Sequence, residues 1–100
     1  MKDGSYIGFE WDDSKALSNV AKHGISFDEA TTAFSDPYGR IIEDPDHSVD
    51  EDRFVLLGMS LQANVLIVCH CLRQAGSSIR IISARKATRS EQNHYWRFRK

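Results

Sequence analysis

Four cationic side chains crowd into eleven residues, Arg80, Arg85, Lys86 and Arg89 in "IRIISARKATR". Guanidinium forks match the geometry of phosphate oxygens, and the N–H groups opening a helix also attract anions. The stretch reads as a strand that turns into a helix, with Thr88 and Glu91 forming a capping box at the junction. Tyr95 and Trp96 follow on that helix, and such rings can stack on unpaired bases. These residues point to a surface that handles phosphate, with RNA as the ligand that would also use the rings. A solvated basic helix end is an equally good reading of the same residues taken alone.

Other candidates are scattered. Lys22 and His23, in "AKHG", fall in the last turn of a helix, where cations complement the helix dipole. They either serve that end alone or reach a phosphate and move protons, since histidine titrates near neutrality. Arg53 stands at a strand edge in "DEDRF". Cys69, His70 and Cys71 have ligand side chains, but tetrahedral zinc sites need four converging ligands, usually as separated pairs. No second pair exists in the sequence, so no metal or other cofactor is expected. His70 reads best as a hydrogen-bonded core group in an apolar strand.

The net charge of −1 conceals an uneven distribution. Residues 1–52 hold 4 Lys and Arg against 13 Asp and Glu, whereas residues 53–100 hold 9 against Glu91 alone. Such asymmetry suggests a nucleic-acid surface or an oppositely charged partner, unless the halves interleave and cancel. The hydrophobic fraction of 41% and length of 100 residues suit one small folded domain, residues 1–100. No apolar run approaches the roughly 20 residues that span a bilayer, and no secretory leader is read at the N-terminus. A cytoplasmic setting is expected.

The positioning elements follow from periodicity. "YIGFEW" (6–11) reads as a strand. Asp12, Asp13 and Ser14 offer N-cap oxygens for a helix that Gly24 stops. Ser26 and Glu29 form a capping box for a second helix, which ends at Pro37 and Gly39. Strands are expected at 40–45, 53–61, 64–73 and 79–84, with an acidic loop over 44–52. The predicted class is α+β: two N-terminal helices and a C-terminal helix on a mainly antiparallel sheet, in two layers. Arg80 and Arg85 are five apart, so a regular strand would point them to opposite faces, and only a bulge near Ser83 would unite them.

Taken together, "FEWDDSKALSNVAKHGISFDEA", "DEDRFVLLG" and "IRIISARKATRSEQNHY" resemble the BrnT toxins over residues 9–95. The resemblance implies a RelE-like fold and the toxin half of a type II toxin–antitoxin pair. It implies a bacterial, metal-independent ribonuclease that blocks translation. Its partner would be a BrnA-like ribbon-helix-helix antitoxin, in a complex of two toxins and two antitoxins that reads operator DNA through the antitoxin. Carried onto this sequence, Arg53, Arg80 and Arg85 would bind phosphate and stabilise the transition state. Lys22 or His23 would transfer protons, and Tyr95 would stack on a base or assist. Lys86 and Arg89 would hold RNA. A ParE-like protein-targeting toxin, or a binding module without activity, could use the same basic surface.

Overall fold

The computed structural model describes residues 8–43 and 53–99. The acidic loop expected at 44–52 lies outside the described residues. The order is β1 (Gly8–Glu10), α1 (Asp13–His23), α2 (Phe27–Ala33), β2 (Arg40–Glu43), β3 (Arg53–Met59), β4 (Val65–Arg73), β5 (Ser78–Lys86) and α3 (Arg89–Arg99). This matches the expected sequence of elements.

Local chemistry accounts for the helix ends. Asp12 Oδ1 accepts from the N–H groups of Ser14 at 2.8 Å and Lys15 at 3.1 Å, which fixes the start of α1. Gly24 closes α1 at φ 73°, a left-handed value that glycine takes without a Cβ penalty. Ser26 Oγ caps α2 by accepting from Glu29 N–H. The return half of the expected capping box does not form. Glu29 Oε2 instead accepts from Ser60 Oγ and Asn64 Nδ2, both at 2.7 Å. The carboxylate finds two donors in the β3–β4 turn and so ties that turn to α2.

The sheet runs β1-β5-β4-β3-β2, antiparallel except for β1 beside β5. Strand alternation sends successive side chains to opposite faces. Leu56, Leu66, Val68, Ile79, Ile81 and Ala84 meet Ile25, Phe27, Ala30 and Ala33 from the helical side. Burying a residue such as Phe27 or Ile25 contributes about 1.5–3 kcal/mol. The opposite face carries a second, smaller core, Leu57, Val65, Ala87 and Tyr95. α3 therefore lies across the other face from α1 and α2. The expected two-layer arrangement is corrected in this respect, because Tyr95 is the large buried ring of α3 and it packs on Leu57 and Val65 rather than on the helical core.

α1 is attached to the sheet by a buried amide. Asn19 Nδ2 donates to Ile25 O and Ala84 O, both at 2.8 Å, and Asn19 Oδ1 accepts from Ala84 N–H at 3.1 Å. β1 pairs with β5 only as far as Arg80. Beyond that point the Asn19 amide supplies Ala84 with the donor and acceptor that a neighbouring strand would offer. Replacing Asn19 by Ala leaves those three main-chain groups unsatisfied in a buried place. Urea unfolding of Asn19→Ala is expected to show a loss of about 2–4 kcal/mol, with a change under 0.5 kcal/mol, roughly that of an ordinary surface position, counting against this role.

Candidate functional site

Among the described residues, the face opposite α1 and α2 is covered by α3 at one end and by no helix at the other. The strand register sets what it displays. Arg53 pairs with Cys71, Cys71 with Arg80, and Arg80 with Glu10, giving one row across four strands. A second row runs Arg40, Leu57, Ile67 and Arg85. Between them lie Ile42, Val55, Cys69 and Ser83. The rows are four residues apart along β4, about 13 Å, and Arg53 and Arg80 flank Cys71 across two strand spacings, about 10 Å.

Arg80 and Arg85 share this face because β5 bulges. Ser83 pairs with Cys69 and Ile81 with His70, so Ile82 has no partner in β4. The extra residue restores the parity that a five-residue spacing would break. The partners of Arg80 and Arg85 are Cys71 and Ile67, four apart and hence on one side. Of the alternatives left open by the sequence, the bulge next to Ser83 is the one observed.

The two arginines are held differently. Arg85 makes a two-pronged ion pair with Glu91, Nη1 to Oε1 at 2.9 Å and Nη2 to Oε2 at 3.0 Å. Glu91 also accepts from Thr88 N–H, while Thr88 Oγ1 accepts from Glu91 N–H, so the expected capping box forms. The Arg85 hydrogen bonds outweigh the burial that would raise it, and with Thr88 they hold the Glu91 carboxyl at about 2. The same pairing raises Arg85. Arg80 contacts Glu10 through Nη1 alone, at 3.1 Å. Arg53, half-buried, has no ion pair with any described residue.

The remaining candidates lie elsewhere. Lys22 and His23 are exposed on the last turn of α1, in the layer behind the sheet. Lys86 ends β5 opposite Leu66, which belongs to the helical side, and Arg89 opens α3; both are exposed. Tyr95 is 0% exposed, so its ring cannot stack on a base. Its hydroxyl donates to Asp36 Oδ2 at 2.6 Å and accepts from Arg99 Nη1 at 3.1 Å. Burial and the bond to Asp36 raise Tyr95, which keeps it protonated. Burial would raise Asp36, but donors from Tyr95, Met59 and Tyr38, with the Arg99 charge, bring it below the usual carboxylate range. Trp96 is partly exposed, and its ring packs edge-on against Tyr95.

His70 is buried on the helical side, with Nδ1 donating to Val68 O at 3.1 Å and its ring edge-on to Phe34. Burial lowers it, so it stays neutral. Cys69 and Cys71 point the other way, so the three potential ligands of "CHC" do not converge. Glu10, Asp36 and Arg40 were not singled out by the sequence. Glu10 and Arg40 become visible as site residues only once the register is known. Arg40 sits 4.4 Å from the Phe98 ring centroid.

Residues 11–91 match the family described as "Ribonuclease toxin, BrnT, of type II toxin-antitoxin system". The chain belongs to that family. As a BrnT-family protein it is the toxin component of a type II toxin–antitoxin system, whose toxins pair with an antitoxin. The crystal structure of the Brucella abortus ribonuclease toxin BrnT is similar at 21% identity and a TM-score of 0.65, over 83% of this chain and 99% of that one. That likeness supports the RelE-like fold. No curated protein matches the sequence. No helix among the described residues is long and apolar enough to cross a membrane.

The Arg85–Glu91 clamp carries a pH signature. A carboxylate depressed on folding from 4.5 to about 2 contributes stability that is complete above pH 4.5 and is lost as pH falls towards 2. At full weight the shift is worth about 3 kcal/mol; partial exposure of both partners reduces that to about 1–2 kcal/mol. Glu91→Gln is expected to unfold at lower urea concentration than wild type at pH 6 and to approach it at pH 2.5. Equal gaps at both pH values would contradict the clamp.

Proposed function

We propose that the open face of the sheet binds single-stranded RNA and cleaves it without a metal ion, with Arg53, Arg80 and Arg85 as the phosphate-binding groups. The observation that carries this reading is the bulge at Ile82, which brings Arg85 to the same face of the sheet as Arg80 and Arg53, opposite α1 and α2. Partly exposed apolar side chains on this face, Ile42 and Cys69 between the rows and Cys71 within the first, suit the faces of bases.

Cleavage would proceed by attack of a 2′-hydroxyl on the adjacent phosphate. Charge accumulates on the phosphoryl oxygens in the transition state, and fixed guanidinium donors favour that charge more than the ground state. Arg85 is pre-oriented by Glu91, so little freedom is lost when it meets phosphate. Arg80 and Arg53 have donors turned to no described acceptor. Arg89 would extend the contact along the RNA from the start of α3, while Lys86, on the helical side of β5, could meet RNA only where it wraps past the strand end. Lys22 and His23, behind the sheet, are assigned no role in the reaction, and Tyr95 is assigned a structural one.

The cognate partner in this reading is a BrnA-like ribbon-helix-helix antitoxin, in a complex of two toxins and two antitoxins. Operator DNA is then read by the antitoxin alone, and the toxin acts in the cytoplasm. Charge separation within the fold favours this use. Asp13, Asp28 and Glu29 lie on the helical layer, and the arginine rows lie on the other side. RNA is attracted to one face and repelled from the other.

Induced expression without antitoxin is expected to arrest growth with rapid loss of intact mRNA. In vitro, Arg53→Ala, Arg80→Ala and Arg85→Ala, each checked for a cooperative unfolding transition, should each lower cleavage by about 10²–10³-fold. Lys22→Ala and His23→Ala should stay within about threefold of wild type. Folded arginine variants that cut at the wild-type rate would overturn the site, and arrest with intact mRNA would move the target from RNA to a protein.

A further inference from the structure

Resting on the RNA-cleavage reading above, we propose that Glu10 is the general base of the reaction, the group that takes the proton of the attacking 2′-hydroxyl. The row Glu10, Arg80, Cys71 and Arg53 places one carboxylate at the end of a line of phosphate-binding cations. A metal-free transfer needs a proton acceptor beside the phosphate site, and the geometry leaves few.

His70 faces the opposite side and is buried, and His23 lies on α1 behind the sheet. His94 is exposed on α3 and is fixed by no contact with a described residue. Tyr95 is buried and donates to Asp36. Glu91 is on the right face, but both its oxygens are engaged by Arg85 and it is held at about 2, which makes it a poor proton acceptor. Glu10 differs on each count. It is anchored by two contacts from β5, Oε1 accepting from Ser78 Oγ and Oε2 from Arg80 Nη1, both at 3.1 Å. One contact per oxygen leaves each with a lone pair for a substrate hydroxyl. Its side chain is 36% exposed, so a ribose can reach it. The base is thereby fixed against the guanidinium that would grip the phosphate, which is the proximity such a step requires.

The charged and titratable groups around Glu10 are Arg80 on β5, Asp12 just after β1, and Cys71 and Arg53 further along the row. In the step, Glu10 removes the 2′-hydroxyl proton while the O2′–P bond forms. The P–O5′ bond breaks, and the departing O5′ takes a proton from water. The products are a 2′,3′-cyclic phosphate and a 5′-hydroxyl. Protonated Glu10 returns its proton to the hydroxide left by that water, which restores the starting state.

The test is the pH–rate profile of the purified toxin on an oligoribonucleotide, for wild type and Glu10→Gln. Gln keeps an oxygen to accept from Arg80, and its amide NH2 can donate to Ser78 Oγ, but it cannot take the proton. The expected result is a fall in kcat of about 10²–10⁴-fold with KM within about threefold, and loss of the acidic limb expected of wild type. Glu10→Ala gives a second readout: added formate should restore part of the rate. A Glu10→Gln enzyme within about fivefold of wild-type kcat and retaining the acidic limb, or one raised only in KM, would overturn the assignment and leave Glu10 as a partner of Arg80. A wild-type protein that cuts no RNA would instead remove the ribonuclease reading itself, and this proposal with it.

Discussion

Ile82 has no partner across β4, and the character of the open face depends on that one unmatched residue. Before it, Ile79 and Ile81 point into the helical core and Arg80 points away. After it, Ala84 points into the core and Arg85 points away. Without the extra residue the register would slip by one, and either Arg85 or Ala84 would take the wrong side. Burying Arg85 without its carboxylate would cost far more than a bulge does. Asn19 holds the strand just past this irregularity, by saturating both main-chain groups of Ala84. A helix packed behind the sheet thus supports an arrangement displayed in front of it.

The far end of the same face is closed by a different device. Asp36 accepts from Tyr38 N–H, Met59 N–H and Tyr95 Oη, which joins the α2–β2 turn, the end of β3 and α3. Arg99 completes the cluster, 3.1 Å from Tyr95 Oη and 4.8 Å and 5.2 Å from the ring centroids of Tyr38 and Trp96. A buried tyrosine bonded to a carboxylate, with a cation beside it, pins α3 to the sheet. Its position decides how much of the sheet α3 covers, and so where the open part begins. Glu91 reinforces the near end of α3 by joining the capping box to Arg85.

Much of this was legible from the sequence. Capping chemistry is local, so Asp12, Ser26, Gly24 and the Thr88–Glu91 pair were readable from a few neighbouring residues. The strands over 53–73 announce themselves by β-branched runs with a short turn between them. The family resemblance rests on motifs that span the chain, and the family is the one found. What escaped was whatever depends on pairing between distant segments. Glu10 is 70 positions from Arg80, and Asp36 is 59 from Tyr95. Neither relation has a periodic signature. An aromatic beside a basic run suits RNA, but the burial of Tyr95 overrides that local cue. Residue type alone points to Lys22 and His23, although helix α1 packs on the other side of the sheet. The charge asymmetry interleaves in part, through Glu10 with Arg80 and Asp36 with Arg99, and persists between the helical layer and the arginine rows.

The most direct test of the central claim is an NMR titration of the toxin with an uncleavable 2′-O-methyl oligoribonucleotide, following the arginine Nε–H signals and the backbone amides. Perturbation of Arg53, Arg80 and Arg85 together with the amides of β3, β4 and β5, while α1 and α2 stay unmoved, is expected. Perturbation centred on Lys22 and His23, with the three arginine signals unchanged, would contradict the assignment of the open face as the RNA site.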